Sequence, residues 1–337
     1  MQRLQQLTLW LQGQFPGETF SLAPASADAS FRRYFRATFA DGATRIIMDA
    51  PPEHEDCRPF LHVAQLFEQA GTHVPHVYAH DLKQGFLLLS DLGNTTYLQA
   101  LTAERARALY GAATDALIKI QLASREGELP AYDEALLRRE LNLFPEWYIG
   151  KHLGVTLNDK QQAKLAQVFD RILANNLAQP RVYVHRDYHS RNLMVLDAPS
   201  LQSSPGIIDF QDAVYGPITY DLASLFKDAY IKWDEELIID WLIGYWQKAR
   251  SAGLPVHDDF GQFYWDYEWM GVQRHIKVLG IFARLCHRDG KDGYLKDMPL
   301  VMDYLRAAAA RYVDLKPLLN LLNELDPPQE APTGYGF

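Results

Sequence analysis

The tightest constraint on the fold of this chain is a polar segment set between apolar ones. Residues RVYV lead into His185-Arg186-Asp187-Tyr188-His189-Ser190-Arg191-Asn192. LMVLD follows and then, past a Ser/Pro/Gly loop, GIIDF, which carries Asp209. The β-branched and aromatic runs predict strands at 181–187, 193–197 and 206–210. A strand–loop–strand hairpin puts Asp187 in the loop and Asn192 at the start of the next strand, while Asp209 closes the neighbouring one. Taken singly, a His, an Asp or an Asn near a loop is an ordinary turn residue that hydrogen-bonds local backbone. The set HxDxxxxN followed by Asp after an apolar pair asks for more.

Phosphoryl transfer from ATP needs three such polar ends. Magnesium prefers hard oxygen ligands, and the carboxylate of Asp209 with the amide of Asn192 leaves room for phosphate oxygens and water. A further carboxylate, kept off the metal, must orient the acceptor hydroxyl and take its proton, and Asp187 suits that role. His185 is expected to brace the loop through hydrogen bonds. The expected cofactors are therefore ATP and Mg2+. Neither GxxxxGK[ST] nor GxGxxG occurs, so no other nucleotide signature competes.

The 337 residues are 48% apolar and 22% charged, enough for one large core or for two modest ones joined by a hinge, two lobes being the starting expectation. A net charge of −9 argues against nucleic acid as a partner, since phosphate-backbone binders carry basic stripes. The opening MQRLQQLTLWLQGQF lacks a long apolar h-region, and no apolar run approaches the roughly 18 residues a membrane span needs. The expected location is the cytoplasm, with no membrane and no obligatory protein partner. Cys57 and Cys286 stand alone, outside any zinc or disulfide spacing.

Strand character at 17–24, 31–39, 44–49, 75–80 and 85–89 predicts a small antiparallel sheet, interrupted by a helix at 58–70 that Gly71 stops. Helical periodicity then covers 102–123, 133–150 and 158–176, and helices rich in Trp and Tyr fill 219–320. The fold class expected is α+β, with an N-terminal lobe at 1–92, a larger and mainly helical lobe at 93–325, and a disordered tail at 326–337.

The stretch HRDYHSRN with Asp209 resembles the catalytic loop of the protein-kinase-like superfamily, and His189 resembles its small-molecule branch, the aminoglycoside phosphotransferase and choline kinase family. Gln211 stands where a DFG motif would have Gly, and no APE-like segment follows, so the target implied is not a protein. The resemblance implies a two-lobed, protein-kinase-like fold. It also implies that Asp221, in GPITYDLASL, supports the catalytic loop from beneath, by helix capping and backbone hydrogen bonds. In the N-terminal lobe, ASADASFRRYFRATF is similar to the nucleotide-covering strand pair and FLLLSDLG to the interlobe hinge, which implies ATP contacts at Ser30, Arg32, Arg33, Arg45, Leu89 and Asp91. The family's third strand normally supplies a Lys to the phosphates. Here Met48 stands near that position, no Lys precedes Lys83, and Arg32, Arg33 and Arg45 are the nearest substitutes.

Aromatics at 228–275, mixed with Asp266, Glu268, Arg274 and His275, are the candidates for an acceptor pocket. Physical reading alone leaves a choline-like cation and a sugar both open. The combination SFRRYFR, MDAPPEHED, HRDYHSRN, IDFQDAVYGP and WMGVQRHIKVLGIFARL resembles kinases that phosphorylate the C1 hydroxyl of N-acetylated amino sugars in cell-wall recycling. That resemblance implies an amino sugar substrate, with His189, Arg191, Trp269, Arg274 and His275 as its contacts. A kinase for another small alcohol (choline, an aminoglycoside) and an inactive ATP-binding regulator remain the alternatives.

Overall fold

The structure, a computed structural model, describes residues 2–27, 31–196 and 204–327. The chain divides into two compact units, Met1–Ser124 with Ser190–Ala213, and Arg125–His189 with Val214–Phe337.

The first unit is built on a five-stranded antiparallel sheet of order β1-β2-β3-β5-β4. Its strands are β1 (Phe20–Ala27), β2 (Arg33–Phe39), β3 (Thr44–Asp49), β4 (Val77–Asp81) and β5 (Phe86–Ser90). The first strand runs later than the 17–24 expected, because the chain continues past Pro24 through a register shift between Pro24 and Ser26. An edge strand tolerates this, since the missing N–H of proline faces no partner there. Helix α1 (Gln2–Gln14) lays Leu7 and Leu11 on Ala37, Phe39, Ile47, Phe86 and Leu88 to close the core. Beneath it Asp49, fully buried, is neutralised by Arg3 at 2.6 Å and by Arg33. Helix α2 (Arg58–Gln69) starts with Pro59 in its first turn, where the absent N–H costs nothing. The short α3 (Tyr97–Ala100), with a Thr96/Gln99 capping box, and α4 (Ala103–Leu122) complete the unit's helices.

The segment 190–213 belongs to this unit because its backbone is tied there: Leu98 N–H donates to Ser190 O at 2.9 Å, Val195 N–H to Thr95 O at 2.8 Å, and Ile207 N–H to His73 O at 2.7 Å. The strands β7 (Leu193–Met194) and β8 (Gly206–Ile207) pair with each other. The fully buried Phe210 ring sits against Phe60 and Phe67 of α2, at centroid distances of 4.8 and 5.9 Å.

The second unit is mainly helical: α5 (Glu134–Leu143), a π-helical segment (Phe144–His152), α6 (Asp159–Ala178), α7 (Tyr220–Phe226), α8 (Glu235–Ser251), α9 (Phe260–Asp289), α10 (Met298–Arg311) and α11 (Lys316–Leu325). The helix expected over 133–150 changes character at Pro145, which has no N–H to give an i→i+4 bond, and the chain widens into the π form. Capping follows the sequence closely. Asp133, Asn158 and Asp259 each accept from the first turn of α5, α6 and α9, and Gly290 ends α9 in the left-handed region at φ 67°. Among its described residues the one sheet joins β6 (Arg181–Val184) to β9 (Val214–Pro217). Among the described residues the expected hairpin between the strands flanking the 185–192 loop does not form: β6 and β7 are each paired elsewhere, and the three strands are shorter than expected. Of the tail, Asp326 is part of the fold, accepting from Tyr148 Oη at 2.7 Å, and residues 328–337 lie outside the described residues.

Candidate active site

Asn192 and Asp209 meet within the first unit. Asn192 precedes β7 and Asp209 follows β8, so the β7–β8 pairing brings the two side chains together, Nδ2 of Asn192 donating to Oδ2 of Asp209 at 3.3 Å. The backbone completes the link, Ile208 N–H donating to Asn192 O at 3.1 Å. Asp209 sits at φ 65°, a conformation that non-glycine residues adopt at a cost of about 1–3 kcal/mol and hold where surrounding structure imposes it. Gln211 Nε2 donates to Asp209 Oδ1 at 2.9 Å, and Arg32 Nη2 lies 3.8 Å from the same oxygen. The site thus offers a carboxylate and an amide oxygen, both hard donors, beside a guanidinium suited to phosphate. Among the described residues no group of three His, Cys, Asp or Glu forms a complete metal cage. A pair of this kind fits a cation that completes its shell with phosphate oxygens and water.

The other candidates for nucleotide contact are spread across the unit. Arg33 is committed to Asp49, and Arg45 donates to the Thr44 carbonyl at 2.7 Å and lies over the Tyr78 ring. Leu89 is buried within β5. Asp91 is held by Arg36 at 2.5 Å; burial raises its carboxyl, but the bonds from Arg36 and Gly93 N–H outweigh that and keep it below the usual range. Ser30 lies outside the described residues.

In the second unit the loop around Asp187 is fixed from below. The Asp221 carboxylate, in the first turn of α7, accepts from His185 N–H at 2.7 Å and Arg186 N–H at 3.0 Å. Helix capping plays no part, since Asp221 lies inside the helix rather than at its cap. His185 is fully buried; its Nδ1 accepts from Asp187 N–H at 3.2 Å and its ring meets Tyr188 edge-on. Arg186 takes φ 76°, and it and Asp209 are the two non-glycine residues with positive φ among those described. The Asp187 carboxyl is raised by burial, but Lys277, His189, Arg274 and His185 outweigh that and hold it below the usual carboxylate range. It is therefore an anion at neutral pH. Burial, with the nearby Asp187 charge, pushes the Asp221 carboxyl up to about 7 despite its two N–H donors.

The acceptor-side candidates divide. His189 packs edge-on against Tyr230 at 5.5 Å, and Arg191, in the first unit, is half-buried. Trp269, Arg274 and His275 all lie on the buried stretch of α9. Trp269 stacks on Trp265 at 5.3 Å, and its Nε1–H has no hydrogen-bond partner among the described residues. Arg274 is buried, with Nη1 likewise unpartnered. His275 stacks on Tyr304, and burial, then the charges of Lys227 and Arg274, push its imidazole well below the ordinary range, so it is neutral.

Sequence reasoning missed two further residues. Glu140 of α5 forms a buried ion pair with Arg186, and Lys277 of α9 lies 3.1 Å from the same Glu140 oxygen. A signal existed: Glu140 occupies an i+3 place in the apolar stripe Leu137, Leu141, Phe144, and Lys277 stands between the apolar Ile276 and the apolar Val278 and Leu279.

A model of the phosphotransferase enzyme family matches residues 21–254. The N-acetylmuramate/N-acetylglucosamine kinase of Neisseria meningitidis is 50% identical over 341 residues, 100% of each chain. The protein of that name from Pseudomonas putida is 50% identical over 333 residues, 96% of each chain. Among solved structures, choline kinase from Cryptosporidium parvum superposes with a TM-score of 0.62 at 11% identity, covering 94% of this chain and 99% of that one. That likeness shows the two-lobed, kinase-like α+β fold. The matched residues contain both Asp187 and the Asn192–Asp209 pair, and with the full-length relatives they show that the chain belongs to the phosphotransferase enzyme family.

Proposed function

We propose that this protein transfers the γ-phosphoryl group of ATP to the anomeric C1 hydroxyl of N-acetylmuramate and N-acetylglucosamine. The product is a sugar 1-phosphate, which a nucleotidyltransferase can take on towards UDP-sugar during peptidoglycan recycling in the cytoplasm. The observation that carries this reading is the 50% identity, over the whole of both chains, to a relative named for these two sugars. Among the described residues no helix is long and apolar enough to cross a membrane, in keeping with a soluble metabolite as substrate.

In this reading Asp187 is the base. Held below the usual carboxylate range, Asp187 stays unprotonated but is a weak base, and an anomeric hydroxyl, more acidic than an ordinary alcohol, asks less of it. Asn192 and Asp209 hold magnesium, which would neutralise the charge of the nucleotide phosphates. Arg32, alone of the three arginines named for the role, lies beside Asp209 and stands in for the absent phosphate-binding lysine. Ser30, Arg33, Arg45, Leu89 and Asp91 complete the proposed nucleotide contacts. Arg274, His275, Trp269, His189 and Arg191 contact the sugar, and His185 and Asp221 support the loop. The N-terminal lobe ends near residue 92.

The test is ATP consumption with magnesium against N-acetylmuramate, N-acetylglucosamine, glucose, choline and kanamycin, with the phosphorylated position read by phosphorus NMR. A C1 phosphate on the two N-acetyl sugars is the expected result. Turnover of choline or kanamycin alone overturns the substrate, and silence on all five overturns the activity.

A further inference from the structure

We propose that His152 and His287 together form a binding site for a divalent transition metal of the zinc class, outside the site described above. The two imidazoles meet at the ends of two helices. His152 is the last residue of the π-helical segment, and His287 stands in the last turn of α9. Nδ1 of His152 lies 3.3 Å from Nε2 of His287, with the ring centroids 5.5 Å apart and the planes inclined by 59°. An N–H donor usually sits about 2.7–3.2 Å from its acceptor, so this separation is long for a hydrogen bond. It does match the edge of a tetrahedral site. Two nitrogens each about 2.0–2.1 Å from zinc, and about 109° apart around it, lie about 3.3–3.4 Å from each other.

Both donors are held in place by packing. The His152 ring stacks on Tyr148 at 5.6 Å, and Tyr148 stacks on Phe144 at 5.1 Å with the planes 9° apart. Tyr148 is anchored at its far end, where Oη donates to Asp326 at 2.7 Å. On the other side Gly280, lacking a Cβ, lets α9 close on Leu143, the residue before the π-helical segment. Ligands preorganised on packed helices lose little freedom when a metal binds. The surroundings also favour a cation. Two helix C-termini, the negative ends of their dipoles, flank the pair. Of the neighbouring cations, Arg288 is paired with Asp289 at 2.7 Å and Lys151 is exposed. His287 is exposed and His152 half-buried, so a metal can enter from solvent. Imidazole nitrogen suits zinc, copper and nickel, whereas magnesium takes oxygen, so the pair does not draw on the metal that accompanies ATP. Among the described residues no third His, Cys, Asp or Glu completes a cage. Water fills the remaining positions, and the ion acts as an exchangeable clamp between the end of the π-helical segment and the end of α9.

The experiment is a zinc titration of the full chain, free of sugar and nucleotide, in competition with a chromophoric chelator, with thermal unfolding alongside. The variants are His152→Phe, which keeps the stack on Tyr148 and removes the nitrogens, and His287→Ala, at an exposed ring. Wild type should bind one equivalent of Zn2+ more than either variant, and ZnCl2 should raise the Tm of wild type relative to both. MgCl2 should produce no such difference. Asp209→Ala should keep the extra equivalent, which separates this site from the Asn192–Asp209 pair. Three results overturn the proposal. Equal zinc binding by wild type and both variants means an adventitious ion only. Loss in one variant alone means a single surface imidazole, and no zinc binding by wild type leaves the contact a plain hydrogen bond. Because neither ATP nor sugar is present, the outcome does not depend on the activity proposed above.

Discussion

Asp221 accepts a 2.7 Å hydrogen bond from the backbone N–H of His185, and the adjoining N–H of Arg186 reaches its other oxygen at 3.0 Å. One carboxylate thus fixes the two peptide groups that precede Asp187. The second of them belongs to a residue in the left-handed region, at φ 76°. Strained backbone of this kind persists only when neighbours impose it. Asp221→Ala should therefore leave two buried N–H groups unsatisfied, each costing about 1–3 kcal/mol. Asp221→Asn keeps one acceptor but turns an N–H towards the other, and a displaced loop should lower kcat by about 10²-fold. Steady-state kinetics on folded Asp221→Asn check this, and an unchanged kcat would show that the loop holds itself.

The same residue gives a stability signature with pH. Its folded pKa, about 7, lies above the ordinary carboxylate value, so between the two the folded state binds more protons than the unfolded. Stability from Asp221 is then complete below the unfolded pKa and is lost as pH rises through about 7. Asp187, shifted down, works the other way, contributing above the unfolded value and losing its contribution as pH falls through the folded one. The Tm of wild type relative to Asp221→Asn should fall from pH 4 to pH 7, measured by thermal unfolding in matched buffers. A difference that is flat or rises over that range would place the Asp221 pKa in the ordinary carboxylate range.

The loop motif and the first sheet were legible because both rest on local signals: polar residues at fixed offsets, alternating apolar runs, and Gly or Pro at the turns. That Asn192 and Asp209 come together could be expected from spacing for the same reason. What could not be read is non-local. The pairing of β6 with β9 joins Val184 to Val214, and nothing at either strand names its partner. Nor does the sequence say which arginine meets which carboxylate. Arg33 and Arg36 look alike on β2, yet alternation sends Arg33 to Asp49 and Arg36 to Asp91, while Arg32, just before the strand, reaches Asp209. Glu140 and Lys277 stand among apolar neighbours in the sequence, which signals burial, but nothing in either helix says that the two meet.

Asp209 allows the backbone and the side chain to be tested apart. Asp209→Ala loses the carboxylate and keeps the strain at φ 65°, whereas Asp209→Gly loses the carboxylate and relieves it. If the carboxylate holds magnesium, both should weaken magnesium-dependent ATP binding by about tenfold or more, a tenfold loss being about 1.4 kcal/mol. Asp209→Gly should be the more stable of the two. Titration calorimetry with and without magnesium decides: binding that survives in either variant places the metal elsewhere.

If Arg274 contacts the sugar as proposed, it bears on the choice between the two sugars. Its guanidinium is buried, Nη1 has no hydrogen-bond partner among the described residues, and such a donor is worth most to an anion. N-acetylmuramate carries a lactyl carboxylate that N-acetylglucosamine lacks. Arg274→Met should raise KM for N-acetylmuramate by about 10–100-fold, the size of a lost charged hydrogen bond, and leave N-acetylglucosamine within a few-fold. Equal losses on both sugars would show that Arg274 serves the loop charge rather than the acceptor.

Gly280 sets how closely α9 can approach the end of α5, because a Cβ built there would lie 2.6 Å from the backbone carbon and from the Cβ of Leu143. Two effects oppose each other in Gly280→Ala. Alanine gains about 1 kcal/mol of helix propensity, while overpacking against a neighbour that must move costs about 1–3 kcal/mol. The steric side should win, because the atoms in the way are backbone and cannot rotate aside. Net destabilisation should lower Tm, by about 1–2 °C for each kcal/mol, because the unfolding entropy grows with chain length. Since α9 also carries Arg274, the same variant should lower kcat at temperatures well below its Tm. Thermal unfolding and kinetics on one preparation measure both, and a higher Tm with unchanged kcat would mean that α9 has room to slide along Leu143.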